Sequence, residues 1–156
     1  DEYYNQLIAG KSAGLLINES KKGYPILIVH EVTVEEVRAQ KLNELRLYDS
    51  SEAVNQFSID NVSGWWNKAT RVGLMNSIAI EKASGRTETN IWLDNTLFVL
   101  PVEKAIDMLQ QIELYALMCY NTTQGHINAI NQLETKEEIE VYNFKTGYPG
   151  KLNFIG

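Results

Sequence analysis

The sequence predicts an α+β fold in which a long C-terminal helix and two shorter helices pack with short antiparallel hairpins. Three local observations carry that expectation. Thr33 stands three residues before Glu36, the spacing of a reciprocal N-terminal capping box. Asp94 and Asn95 separate two apolar runs, a connection suited to a tight hairpin turn. After Pro101, apolar residues recur at three- and four-residue steps as far as Ile130.

In chain order, residues 1–9 suggest a short helix with Tyr4, Leu7 and Ile8 on one side. Gly10, Gly14 and Gly23 punctuate the next stretch, around an apolar patch at 15–17. Residues 24–30 form a continuous apolar, β-branched run whose length favours a strand. Residues 1–32 therefore read as an arm or the end of a preceding module, and 33–156 as one α+β domain. Val34, Val37, Lys41, Leu42, Leu45 and Tyr48 give the first domain helix its face, ending near Asp49. Ser50 or Ser51 caps a further short turn through Val54.

Phe57 and Ile59 alternate with polar neighbours, and Asp60, Asn61, Ser63 and Gly64 supply turn chemistry. With Trp65 and Trp66 resuming the apolar pattern, 55–67 reads as a hairpin. Val72, Met75, Ile78 and Ala79 mark a helix over 70–83, which Ser84 and Gly85 end. Strands at 90–93 and 96–100 flank Asp94 and Asn95. Pro101 suits a first helical turn, where its missing N–H costs nothing. The stripe Val102, Ile106, Leu109, Ile112, Ala116, Tyr120, Thr123, Ile127 and Ile130 comes next, widened by Ala105, Met108, Tyr115 and Cys119. Gly125 lowers helix propensity by about 1 kcal/mol relative to Ala, which predicts a bend or break near 121–125. Thr135 and Glu138 form a second capping box for a short helix to about Tyr142. Gly147, Tyr148, Pro149 and Gly150 then turn the chain toward a last strand at 151–155.

Composition narrows the function classes. The 156 residues carry 14 basic and 20 acidic side chains, a formal charge of −6, and the longest basic run is the pair Lys21 and Lys22. A surface that tracks phosphates needs clustered cations, so no nucleic-acid partner is expected. Apolar runs such as 26–29 and 97–100 are far short of the ~20 residues of a membrane span. No membrane partner is expected, and no signal-like segment opens the chain. The single cysteine, Cys119, sits among Leu117, Met118 and Tyr120 and reads as a small buried hydrophobe.

No motif for chemistry stands out. His30 and His126 are far apart with no metal-ligand spacing, so neither a metal nor another cofactor is expected. Gly10, Lys11 and Ser12 match only the end of a phosphate-binding loop, without its upstream glycine. The pairs Glu35/Glu36 and Glu137/Glu138 could do acid–base work on a glycan, but both fall in first helical turns, where carboxylates meet the helix dipole favourably. No catalytic residue is assigned, and the chain is read as not an enzyme. Asn-x-Ser/Thr sequences at Asn18, Asn61 and Asn121 have meaning only in a secreted protein.

The aromatic residues are the most suggestive feature. Trp65, Trp66 and Trp92 lie on the predicted hairpins, and exposed indoles stack on sugars or anchor protein partners. If Trp65 and Trp66 share a strand, one faces inward and the other outward. Trp65, Trp66 and Trp92 are therefore the candidate contact surface.

From Thr33 to Phe154 the order of elements and several segments resemble a known family. The segments are EEVRAQKLNELRLYDSSEAVNQFSI, WWNKATRVGLMNSIAIEKASGRTETNIW, AIDMLQQIELYALMCYNTTQGHINAI and EEIEVYNFKTGYPGKLNF, with YDSSEAVNQF and TRVGLMNSI as short signatures. They resemble the domain of unknown function 4376 of tailed-phage and prophage proteins, including those of gut Bacteroidetes. The resemblance implies a non-catalytic structural or interaction domain of a tail, fibre or head appendage, or an assembly factor, in a virion or in bacterial cytoplasm as a prophage product. Its partners would be further copies of itself or other phage proteins. The family has no assigned active site, so no functional residue carries over. A carbohydrate-binding module using Trp65 or Trp66 with Trp92 is the alternative, with glycan as partner. An unrecognised glycan-acting enzyme with two facing carboxylates is the third reading.

Overall fold

The computed structural model describes residues 15–19 and 25–156, with side chains from His30 onward. The helix expected over 1–9 and the glycines at 10, 14 and 23 lie outside the described residues. Strand β1 (Leu15–Glu19) pairs antiparallel with β2 (Pro25–Val29), with Leu15 opposite Val29. The patch at 15–17 is thus the start of a strand, and the expected strand over 24–30 is present in slightly trimmed form.

Helix α1 (Val34–Asp49) starts where the Thr33 hydroxyl accepts the Glu36 amide at 3.2 Å. Only this half of the expected box forms, because the Glu36 carboxylate turns to His30 Nε2 at 2.9 Å. Leu45 is the fully buried residue of α1, with Leu42 and Tyr48 beside it. Lys41, from the same stripe, donates to the Glu140 and Tyr142 carbonyls.

Strands β3 (Phe57–Ile59) and β4 (Val62–Gly64) form a hairpin whose turn residues Asp60 and Asn61 have φ of 47° and 69°. Those paired positive values are the tight-hairpin geometry that Asp and Asn tolerate. The strand stops at Gly64 rather than running through Trp65 and Trp66. A Cβ at Gly64 would collide with the Leu93 side chain, so the backbone here lies against a neighbouring strand. Asn67 then caps α2 (Lys68–Ala83), its side chain accepting the Thr70 amide at 2.8 Å. That cap starts the helix two residues before Thr70, and its buried line runs through Arg71 and Ile78 while Val72 faces outward. The helix closes at Ser84, followed by Gly85 at φ 82°, where glycine tolerates the left-handed turn.

Strands β5 (Glu88–Leu93) and β6 (Thr96–Pro101) join through Asp94 and Asn95, both at positive φ. Thr89, Ile91 and Leu93 of β5 and Phe98 and Leu100 of β6 point inward, in the strict alternation of a half-covered sheet. Pro101 ends β6 at the N-cap position of α3 (Val102–Gln132), whose 31 residues span about 46 Å. The helix runs through Gly125 without a break. Its neighbours are anchored: Thr123 Oγ1 donates to Asp49, His126 bonds Tyr142 and the Thr146 carbonyl, and Ile130 is fully buried. Tertiary bonds outweigh the local cost of one glycine. Helix α4 (Lys136–Val141) has the full Thr135–Glu138 capping box. Of the strand expected over 151–155, β7 (Asn153–Phe154) forms, running parallel to β3. Ser58 N donates to Leu152 O and Asp60 N to Phe154 O. Ser58 Oγ also donates to Asn153 Oδ1, and all three residues of β3 are buried, Phe57 and Ile59 within the apolar core.

The fold is therefore α+β, with α3 as a spine. Its first half buries Val102, Ala105, Met108, Leu109 and Ile112 against β3, β5, β6 and α2. Farther along, Tyr115 and Cys119 meet Val54, and Ile130 meets Leu45 and Phe144.

Candidate contact surface

The three tryptophans do not share one outward face. Trp66 is only 7% exposed; its ring lies 4.8 Å from Phe57 and its Nε1 donates to the Trp92 carbonyl at 3.1 Å. Trp65 is half-buried between Tyr115, Phe57 and the Arg71 guanidinium, which sits 5.1 Å from its ring. Both indoles fall after the end of β4, so the in-and-out alternation of a strand does not govern them. Their assignment as contact residues is corrected to packing. Trp92, at 60% exposed, is the indole that faces outward.

Around Trp92 lies a surface that the residue pattern alone did not single out. Leu97 is its cross-strand partner and Val99 stands opposite Asn90, with both apolar side chains exposed. Strand alternation, traced from Trp92, is the signal that finds them. A second exposed apolar group is on α3, where Leu114, Leu117 and Met118 occupy one face at i, i+3 and i+4. Tyr120, expected in the buried stripe, is 60% exposed; the buried line passes through Tyr115, Cys119 and Thr123 instead.

Beside the α3 group, and sharing Leu117 with it, is a cleft of about 420 Å³, bordered by Asp49, Lys68, Arg71, Glu113, Leu117 and Cys119. Several of its polar groups bond each other or the backbone. Buried Arg71 donates from Nε to Glu113 at 2.6 Å and from Nη1 to the Trp66 carbonyl at 2.8 Å. Thr123 Oγ1 gives its proton to Asp49 Oδ1 at 2.7 Å, so Tyr148 must donate in its 2.8 Å contact with Thr123. Tyr115 Oη donates to the Val54 carbonyl at 2.6 Å.

Burial, reinforced by the nearby Cys119, pushes the Tyr115 phenol well above its ordinary value. Burial likewise raises the Cys119 thiol, partly offset by the Tyr115 hydroxyl, and Asp49 adds to the rise. The thiol is held neutral, the form that is a poor nucleophile and metal ligand. Tyr148 is also raised by burial, against the opposing hydrogen bond with Thr123. These groups lock α1, α3 and the 142–148 segment together.

His30 is engaged with Glu36, and His126 with Tyr142 and Thr146. Among the described residues, no three His, Cys, Asp or Glu side chains gather to hold a metal ion, and no helix is long and apolar enough to cross a membrane. Glu35, Glu36, Glu137 and Glu138 sit in first helical turns, two on α1 and two on α4. No family model matches the chain, and no curated protein or solved structure matches it.

Proposed function

We propose that the chain is a non-catalytic interaction domain that works by docking to protein, either a further copy of itself or another phage or prophage component. The resemblance of residues 33–154 supports a place in a tail, fibre or head appendage, or in assembly, and with it a virion or bacterial-cytoplasm setting. One observation carries the binding reading: large apolar side chains are presented outward in groups from regular elements. Leu114, Leu117 and Met118 form one group and Trp92, Leu97 and Val99 the other. Grouped exposed hydrophobes rimmed by polar residues mark interaction surfaces, whereas scattered ones do not.

Light scattering on a sizing column tests this directly. Association of the chain that is lost when Leu114 and Leu117, or Leu97 and Val99, become glutamate supports the reading. A monomer unaffected by either pair, together with glycan binding lost in Trp92→Ala, would replace it. Carbohydrate binding is retained as a second reading because the Trp92 indole is exposed on the same strand face as the Asn90 amide, a stacking plane next to a hydrogen-bonding group.

A further inference from the structure

We propose that β6 is an association edge and that its occupant is β6 of a second copy, paired antiparallel about a two-fold axis at Phe98. The inference rests on the interaction reading and names its partner and register.

The hydrogen-bond phase of the β5–β6 hairpin determines which backbone groups are free. In a two-residue hairpin the residues flanking the turn exchange both backbone bonds, and every second pair does the same. Here those pairs are Leu93 with Thr96, Ile91 with Phe98, and Thr89 with Leu100. Two further contacts fit this phase. Val102 N donates to Thr87 O at 2.9 Å, the next bonded pair in the series. The Trp92 carbonyl, which must point off the ladder, accepts Trp66 Nε1. It follows that the N–H and C=O of Leu97 and Val99 point away from β5. Among the described residues they find no backbone partner.

The two edges of this hairpin are treated differently. The β5 edge is covered at Trp92 by the Trp66 indole and carries the charged Glu88. Exposed strand edges are ordinarily blunted by charge, by proline or by a cover. Strand β6, TLFVLP, has no charged residue, and its proline comes only at its end.

The occupant is set by self-complementarity. With Phe98 on the axis, Leu97 faces the partner's Val99, and Val99 faces the partner's Leu97. Both are residues whose backbone groups point outward, so four N–H···O bonds form. Each pair also sets two apolar side chains together on the outer face. Pro101, without an N–H, ends the ladder. The chain is acidic, so another acidic surface is repelled, but two β6 edges bring no charge of their own together. Such a junction is small, which makes the association concentration-dependent. It joins two two-stranded ribbons, each marginal alone, into one four-stranded sheet.

The test combines light scattering up to ~1 mM chain with amide exchange at Leu97 and Val99. Two variants accompany it. Val99→Pro deletes an N–H that makes no internal ladder bond, and Leu97→Lys keeps the backbone but charges the edge. Circular dichroism and melting confirm that each is folded. The expected result is a mass that doubles with concentration, concentration-dependent slowing of exchange at both amides, and a mass that stays single in both variants. A dimer that survives both substitutions overturns this inference while leaving the interaction reading standing. A monomer with fast exchange at both amides overturns it too, and leaves the α3 face to test that reading. A monomer whose two amides are nevertheless protected would mean that the edge is covered from within the same chain, which also overturns it.

Discussion

The two halves of α3 are buried by different means. From Val102 to Ile112 the inward residues are purely apolar, and they face other apolar side chains from two sheets and α2. From Tyr115 to Ile130 much of the burial is amphipathic: a phenol, a thiol and a hydroxyl lie in the line, and each hydroxyl ends on a specific acceptor. The Ile130 carbonyl itself takes the Arg38 guanidinium at 2.6 Å. Apolar packing is non-directional and specifies little beyond volume. Directed bonds fix which segment sits where, and they lose much if one partner goes missing. The first half therefore supplies most of the stability, and the second supplies the placement of α1 and the C-terminal segment.

Truncation in the first half should have the largest effect. Ile112→Ala, at a fully buried site, is expected to cost about 2–5 kcal/mol, read as a lower urea midpoint. A smaller loss than Thr123→Val produces would invert the comparison. Thr123→Val keeps shape but removes the hydroxyl between Tyr148 and Asp49, and should cost about 1–3 kcal/mol. In a double-mutant cycle, adding Tyr148→Phe should cost little more once Thr123 is gone; full additivity would mean that the two hydroxyls act separately.

Alkaline pH sharpens the contrast further. Tyr115, Cys119 and Tyr148 all belong to the second half, and all have folded values raised above their ordinary ones of 10.0, 9.0 and 10.0. Because the fold holds their protons more tightly than the unfolded chain does, their contribution is complete below about pH 9. It is lost as the pH rises through the folded values. Amide protection along α3, corrected for the base-catalysed rise of the intrinsic exchange rate, should fall first after Tyr115, and a simultaneous fall in both halves would contradict the division. The smallest effect has the opposite sign. A Cβ at Gly125 meets nothing, so Gly125→Ala should stabilise by about 0.5–1 kcal/mol, visible as a higher melting temperature.

Legibility in the sequence divides along the same line, between local and distant partners. The Thr33 and Thr135 caps and the Asp94–Asn95 turn are satisfied within a few residues, so residue types suffice to place them. The end of β4 depends on Gly64 touching Leu93, and the continuity of α3 through Gly125 depends on Thr123 reaching Asp49. Neither distant partner is marked by any local pattern. Of the candidate surface, Trp92 was legible as a hairpin aromatic, and Leu97 and Val99 can be reached from it by alternation. Strand alternation does not place Trp65 and Trp66, because the strand ends before them at Gly64. Leu114, Leu117 and Met118 were hidden because apolar periodicity alone does not say which of two adjoining stripes a helix turns inward.

The parallel pairing of β7 with β3 bears on how the chain is made. Ser58 and Asp60 take their partners from Leu152 and Phe154, and Gly156 N donates to Asp60 Oδ1 at 2.9 Å. During synthesis, β3 and β4 emerge before β7, and the sheet they belong to stays one strand short until residue 154 has left the ribosome. Such distant pairings slow folding. Until then the nascent chain exposes the β3 edge with its apolar face, the interval in which a chaperone or a neighbouring nascent copy would compete for it.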